Sequence, residues 1–184
     1  HQDSMPLERD VCNRYFRLSA CEFQEFFIGR VFRKMFQIIH KGNDVCWSDA
    51  LGGSNPQRAT ISHALKEWIT EFKPDVIYSM MGSNEVMSLT QEIVEFTGKP
   101  LAIHFMDDWP QFIYRRGGLA WIERLRMKRF LSWCLDHARA RFVIGESMAS
   151  AFRQRYGHAF KYYQNTLDVT RWIRKAEHSV AVNH

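Results

Sequence analysis

The sequence predicts an α/β protein with a Rossmann-like parallel sheet flanked by helices, and two observations support this class. Short, mostly apolar runs at residues 76–80, 101–105 and 141–144 have the length and the bounding turns of buried strands. Longer segments between them repeat apolar residues at helical spacing. Because each such segment can cross over between neighbouring parallel strands, the alternation indicates βαβ units.

The first predicted element is a helix over residues 19–40, broad enough in its apolar face to be buried against a sheet. Gly42 would end it, residues 45–47 would form a short strand, and the glycine-rich stretch 51–57 would be a loop. The helix prediction rests on apolar residues three or four apart, namely Phe23, Phe27, Val31, Met35 and Ile38.

The remaining elements follow in alternation. They are a helix over 61–72, a strand at 76–80, a helix between the 82–84 turn and Gly98, a strand at 101–105, a helix over 119–137, a strand at 141–144, a helix from Ser147 to Tyr156 and a strand at 160–163. The 82–84 turn contains one candidate N-cap, and Ser147 is the other. We assign residues 1–18 to a tag remnant and an N-terminal loop, 19–172 to the Rossmann-like domain, and 173–184 to a hinge or tail.

Composition limits the classes of protein that fit. The chain has 184 residues, of which 46% are hydrophobic and 14% aromatic, which excludes a disordered protein. Its four cysteines are widely spaced, so we expect reduced thiols and a cytoplasmic protein rather than a disulfide framework or a zinc site. The net charge of +5 permits an anionic partner without identifying it.

Two adjacent carboxylates follow the strand at 101–105. Asp107 and Asp108 would lie at the carboxyl end of a parallel strand, where α/β sheets bind ligands. Carboxylates accept strong hydrogen bonds from sugar hydroxyls and can take a proton, so we predict a catalytic role for this pair. The alternatives are that one caps the next segment while the other faces water, or that the pair holds a metal ion.

The turn at Gly82, Ser83 and Asn84 follows a strand and opens a helix. Backbone N–H groups at such a helix start can hold a phosphate or a sugar oxygen, and a simple strand-to-helix turn explains the same residues.

Basic side chains are interspersed with aromatic and apolar side chains along residues 114–129. Such a helix could contact an anionic membrane surface or another anion, although its basic and apolar residues interleave around the helix. The alternative is a packed helix whose arginines are solvated or paired with Glu123 and Asp136. The predicted contact residues are Arg115, Arg116, Arg126, Lys128 and Arg129. Nucleic-acid binding has only the basic charge in its favour.

Four sequence blocks, in order, resemble a known family. They are KGNDV at 41–45, KPDVIY at 73–78, PLAIHFMDDWP at 100–110, and a tail that contains RFVIGES at 141–147 and NTLD at 165–168. The set is similar to the amino-terminal half of GT-B glycosyltransferases, in particular the family-4-like retaining sugar transferases. His104 lies two positions before the place of that family's usual histidine, where this chain has Met106.

The resemblance implies a function. The chain would be the acceptor-binding half of an enzyme that transfers a sugar from a nucleotide-sugar to a hydroxyl of a saccharide or lipid-linked acceptor. His104, Trp109, the 82–84 turn and Arg14 would bind the acceptor or its phosphate. A second Rossmann-like domain would bind the donor, so we expect no turnover from this chain by itself, and no cofactor or metal.

The assignment carries an expectation about location, and two alternative functions remain open. The protein would be cytoplasmic and peripheral at the inner face of the membrane. One alternative is a non-catalytic α/β binding module for an anionic partner or a membrane surface. The other is a sugar-nucleotide epimerase of the same fold, which would also need the second domain.

Overall fold

A four-stranded parallel sheet forms the centre of the fold, as a computed structural model shows for residues 14, 16, 18, 23–25, 57–118 and 120–163. The elements in chain order are β1 (Phe23–Glu25), β2 (Gln57–Ala59), α1 (His63–Phe72), β3 (Ile77–Met81), α2 (Asn84–Thr97), β4 (Leu101–Phe105), α3 (Trp109–Phe112), α4 (Ala120–His137), β5 (Ala138–Val143), α5 (Glu146–Tyr156) and β6 (Lys161–Tyr162). The predicted α/β class is confirmed.

The order of the strands explains which face of the sheet is covered. The sheet has the order β3-β4-β5-β6, and every neighbouring pair is parallel. Successive right-handed crossovers that all step in one direction place their helices on one face. The main core accordingly joins one sheet face to α2, α4 and α5.

Side chains of β4 alternate between the two faces. Leu101, Ile103 and Phe105 are buried against the helices, whereas Ala102 and His104 point the other way and are half-buried. On that second face, Tyr78 and Met80 of β3 are 55% and 52% exposed. We call this side of the sheet the open face, because the helices of the main core, α2, α4 and α5, pack on the other side.

Helix ends follow the chemistry that the sequence predicted. Ser83 Oγ accepts a hydrogen bond from Val86 N at 3.3 Å, which caps the start of α2. Gly98 ends α2 with φ of 63°, a left-handed conformation that glycine adopts without strain. These local signals explain why the bounds of α2 and β4 agree closely with the prediction.

Two predictions of local structure are wrong, and one short element was not predicted. Residues 23–25 form a strand rather than part of a helix, and they pair antiparallel with residues 57–59, which lie where a loop had been expected to end. Helical spacing favoured a helix there, but pairing between distant segments decides strand formation. Ser147 is not an N-cap, since Gly145 occupies that position and α5 starts at Glu146. The short helix α3 was not predicted.

A smaller core joins α1 to α2 beside the sheet. It contains Ala59, Leu65, Ile69 and Leu89, with Trp68 packed against it. None of the helices described is long and apolar enough to cross a bilayer. Several predictions fall outside the described residues: the rest of the 19–40 helix, the 45–47 strand, the 165–168 block, the 173–184 hinge and the domain limits at 19 and 172.

Candidate functional site

The carboxyl edge of the sheet gathers the loops that follow β3, β4 and β5. The indole Nε1 of Trp109 donates a hydrogen bond to the backbone oxygen of Met81 at 2.9 Å. This contact joins the start of α3, after β4, to the last residue of β3. A Cβ atom at Gly82 or Gly145 would meet nothing within 4 Å, so open space lies above both positions. Neither backbone position is therefore crowded by its neighbours.

Asp107 presents its carboxylate at this edge. Asp107 is exposed, and its Oδ1 accepts a hydrogen bond from Trp109 N at 3.2 Å. Its second oxygen has no hydrogen-bond partner within the described part of the chain. The backbone contact fixes the direction of the carboxylate, and the remaining oxygen can accept a proton or a hydrogen bond from a ligand.

Asp108 forms an ion pair with α5. Arg155 Nη1 donates to its Oδ1 at 2.6 Å, and Arg155 Nη2 donates to its Oδ2 at 2.9 Å. The guanidinium also lies over the rings of Phe152 and Tyr156. The hydrogen bond with Asp108 is the main reason why the pKa of Arg155 is raised above its usual value. Both carboxylate oxygens are thus engaged, and Asp108 connects the β4 loop to α5.

The 82–84 turn divides into an open and a buried part. Gly82 is exposed and Ser83 is half-buried, so both are accessible at the edge. Asn84 is completely buried, and its Nδ2 donates to the Glu123 backbone oxygen at 3.1 Å and to Glu123 Oε2 at 2.8 Å. Asn84 therefore connects α2 to α4 and is out of reach of an acceptor, contrary to the prediction.

His104 lies on the open face of the sheet rather than in the loop. Its Nδ1 is 2.6 Å from the hydroxyl oxygen of Tyr78, and its ring makes edge contacts with Tyr78 and Phe142. Its Nε2 is buried without a partner among the described residues. Burial lowers the pKa of His104 from 6.5, so the neutral imidazole is favoured. Because β4 ends at Phe105, the strand alternation does not continue to Asp107.

Arg14 lies beside α1. It pairs with Glu71, and its guanidinium carbon is 5.8 Å from the centre of the Phe72 ring. These contacts are at the carboxyl end of α1, which precedes β3, whereas the candidate site follows β3 and β4. Neither of these contacts brings Arg14 to Asp107.

The predicted basic residues separate into two groups. Arg126 Nη1 donates to Oε1 of Glu123 at 2.7 Å, so the positive charge of Arg126 is paired with a buried carboxylate. Arg129 lines a groove between α2 and α4 that also contains Glu92 and Glu95. The exposed members outside that groove are Arg115, Arg116 and Lys128.

Sequence reasoning missed Tyr78 and Arg155. Their partners, His104 and Asp108, are 26 and 47 residues away, and no local spacing indicated these pairs. Glu123 had been named as a partner for the arginines of this helix, and it pairs with Arg126 three residues later, but its hydrogen bond with Asn84 was not predicted. Within the described ranges, no three His, Cys, Asp or Glu side chains are grouped to hold a metal ion. Cys134 is buried, which raises its thiol pKa to about 12.

Comparison with known proteins identifies no relative. No family model, curated protein or solved structure matches the chain.

Proposed function

We propose that this chain is the acceptor-binding half of a glycosyltransferase and that Asp107 binds the acceptor hydroxyl. The observation that supports this most strongly is the hydrogen-bonded connection from the Asp107 carboxylate to Trp109 N and from the Trp109 indole to Met81 O. It holds an exposed carboxylate at the carboxyl edge of a parallel sheet, beside the open Gly82 loop.

In the proposed reaction, Asp107 acts as the general base. Its free oxygen accepts the proton of the acceptor hydroxyl, whose oxygen forms a bond to the anomeric carbon of the donor sugar. The bond from that carbon to the nucleotide phosphate breaks, and its electron pair leaves with the phosphate. A second domain would bind the nucleotide-sugar and stabilise the leaving phosphate.

Asp108 has a different part in this proposal. Since Arg155 engages both of its oxygens, Asp108 holds the β4 loop against α5 and positions Asp107. Trp109 positions the same loop from the other side and presents part of its ring at the edge. The proposal therefore assigns catalysis to one carboxylate instead of the pair that the sequence indicated.

The test uses the full-length gene product with a panel of labelled nucleotide-sugars and saccharide or lipid-linked acceptors. Loss of a general base typically reduces a rate by at least ~100-fold, so we expect that loss for Asp107→Asn with unchanged donor binding. Asp75→Asn, a change of another exposed carboxylate, is the matched control and should leave transfer intact. Normal transfer by Asp107→Asn, or no transfer by the parent protein to any acceptor, would contradict the proposal.

A further inference from the structure

The open face of the sheet carries a row of side chains that crosses all four strands. The row consists of cross-strand neighbours in register, one from each of β3, β4, β5 and β6, namely Met80, His104, Phe142 and Lys161. Side chains two residues apart on a strand share a face, so Tyr78 lies on the same side as Met80. Tyr163 N donates to Val143 O at 2.9 Å, which continues the β6 ladder and puts Tyr163 on the side of Lys161.

Aromatic rings are in contact along this face from β3 to the end of β6. The ring centres of Tyr78 and His104 are 6.1 Å apart, and those of His104 and Phe142 are 6.2 Å apart. The Phe142 and Tyr163 ring centres are 5.4 Å apart. The two end rings are the most open, since Tyr78 is 55% and Tyr163 is 64% exposed. Exposed rings of this kind are surfaces on which the bases of a single strand stack.

Positive charge is concentrated at the amino edge of the same sheet. Parallel strands start at one edge, and an exposed cation lies at or near the start of each described strand of this sheet. These cations are Lys73 before β3, Lys99 before β4, Arg139 in β5 and Lys161 in β6. The four strands themselves contain no aspartate or glutamate.

Two exposed carboxylates lie at this edge as well, and they do not cancel its charge. They are Asp75 and Asp136. Asp136 Oδ1 lies 3.3 Å from His158 Nε2, and its Oδ2 accepts a hydrogen bond from Ser132 at 3.3 Å, so this carboxylate is already engaged. Four cations against two acids leave the edge positive, and a positive edge attracts phosphate groups.

We propose that the open face and the amino edge together bind single-stranded RNA. Bases stack on Tyr78 and Tyr163, while phosphates contact the cations at the strand starts. Neighbouring strands are about 4.8 Å apart, so two rings separated by three strand spacings can each hold a base of one RNA strand. From the sequence, a nucleic acid had only the basic charge in its favour, and the fold adds the aromatic row.

The chemistry of the surface also selects among nucleic acids. A duplex buries the faces of its bases in its own stack, whereas RNA loops and single strands offer unpaired bases to aromatic side chains. This inference does not depend on the proposed sugar transfer, because Asp107 lies at the opposite edge of the sheet.

The first test is fluorescence anisotropy of a labelled single-stranded RNA of about 12 nucleotides titrated with the chain. We expect this RNA to bind at least ~10-fold more tightly than a duplex of the same sequence, because only unpaired bases can stack on tyrosine. Equal affinity for the single strand and the duplex would overturn the proposal. Tighter binding of single-stranded DNA than of RNA would overturn the choice of RNA.

The stacking contacts are tested with Tyr78→Leu/Tyr163→Leu, which removes two rings and keeps apolar side chains. The affinity should fall at least ~10-fold, since each stacked base contributes about fivefold or more. Phe96→Leu/Phe112→Leu is the matched control, because it changes two exposed rings outside the open face and should keep the parental affinity. An unchanged affinity in the tyrosine variant, or an equal loss in the control, would overturn the proposal.

The phosphate contacts are tested with Lys99→Ala/Lys161→Ala. Each phosphate contact to a single strand contributes about 0.7 to the slope of log affinity against log salt, so this variant should flatten the slope by about 1.4. Lys66→Ala/Lys128→Ala removes two exposed charges from α1 and α4 and should leave the slope unchanged. Binding that does not depend on salt would indicate an apolar protein partner and overturn the proposal.

NMR of the parent chain gives a readout that requires no variant. The RNA should shift the amide signals of residues 77–80, 102–104, 140–142 and 161–163. Shifts confined to α4 or to the carboxyl edge of the sheet would overturn the proposal.

Discussion

Two neighbouring carboxylates of this protein differ because their partners differ. Asp107 has a backbone N–H as its partner and remains exposed, whereas Asp108 is bound at both oxygens by one guanidinium. Adjacent residues after a strand end need not share an environment, since the chain bends between the end of β4 at Phe105 and the start of α3 at Trp109. The side chain that a ligand can reach is consequently set by Arg155, which is 47 residues from Asp108.

The Asp108–Arg155 pair should contribute measurable stability. Its side chains are 28% and 27% exposed, and a bidentate, partly buried pair is stronger than a surface pair. We expect a coupling free energy of about 1–2 kcal/mol from a double-mutant cycle with Asp108→Ala and Arg155→Ala, measured by urea unfolding. The exposed His63–Glu67 pair is the control, with coupling of about 0.5 kcal/mol or less. Equal coupling in the two cycles would contradict this assignment.

His104 should make the stability of the fold depend on pH. Its pKa is lowered from 6.5 in the folded state, so the unfolded chain binds a proton more readily. The stability present above pH 6.5 is therefore lost progressively as the pH falls through the folded-state pKa. His104→Phe keeps an aromatic ring between Tyr78 and Phe142 and removes the titrating group.

The measurement compares the free energies of unfolding of the parent and His104→Phe at about pH 8 and about pH 5. The difference between the two proteins isolates His104 from the other histidines. We expect the parent to lose more stability than the variant on acidification. An identical loss in both proteins would show that His104 does not contribute.

At the scale of elements, the carboxyl ends of α1 and α2 use the same backbone conformation with different residues. Lys73 has φ of 53° after α1, and Gly98 has φ of 63° after α2. A side chain in this left-handed region costs about 1 kcal/mol relative to glycine. Lys73→Gly should accordingly raise the free energy of unfolding by about 1 kcal/mol, and Gly98→Ala should lower it by a similar amount.

Thermal or urea unfolding of the two variants tests this prediction. Changes of the same sign at residues 73 and 98 would refute the assigned cap geometry.

Elements with local signals were predictable, and those that depend on distant pairing were not. β4 was predicted at its observed limits because a turn and a loop bound its apolar run. The start and end of α2 followed from Ser83 and Gly98. By contrast, β1 and β2 exist through mutual antiparallel pairing across more than thirty residues, which helical spacing within 19–40 cannot reveal.

The places of Asp107 and the 82–84 turn at the carboxyl edge of the sheet were predictable, but the contacts of the side chains there were not. The rule that parallel sheets bind ligands at this edge made these residues candidates. It also selected Asn84 and Asp108, which the structure pairs with Glu123 and Arg155. A partner on another helix occupies a polar side chain, and the sequence alone does not show that partner.

At the scale of the whole molecule, a buried charge joins α2 to α4. Glu123 is 1% exposed and binds both Arg126 and Asn84, so it connects α4 to α2, two of the three helices that pack on the sheet. Glu123→Ala would leave a guanidinium and an amide without this partner. We expect a loss of about 3–5 kcal/mol in the free energy of unfolding, the usual cost of removing one member of a buried pair.

Urea unfolding provides the comparison, with Glu95→Ala as the matched control because that carboxylate is exposed on α2. The control should change the free energy by about 0.5 kcal/mol or less. A loss for Glu123→Ala no greater than for the control would show that the buried network does not stabilise the fold.

The most direct test of the account is a saccharide titration of this chain followed by ¹H–¹⁵N NMR. The account predicts that an acceptor saccharide shifts the amide signals of residues 82–83 and 106–109, and that Asp107→Asn abolishes these shifts while the rest of the spectrum stays folded. Shifts that survive Asp107→Asn, or that occur only away from the carboxyl edge of the sheet, would contradict it.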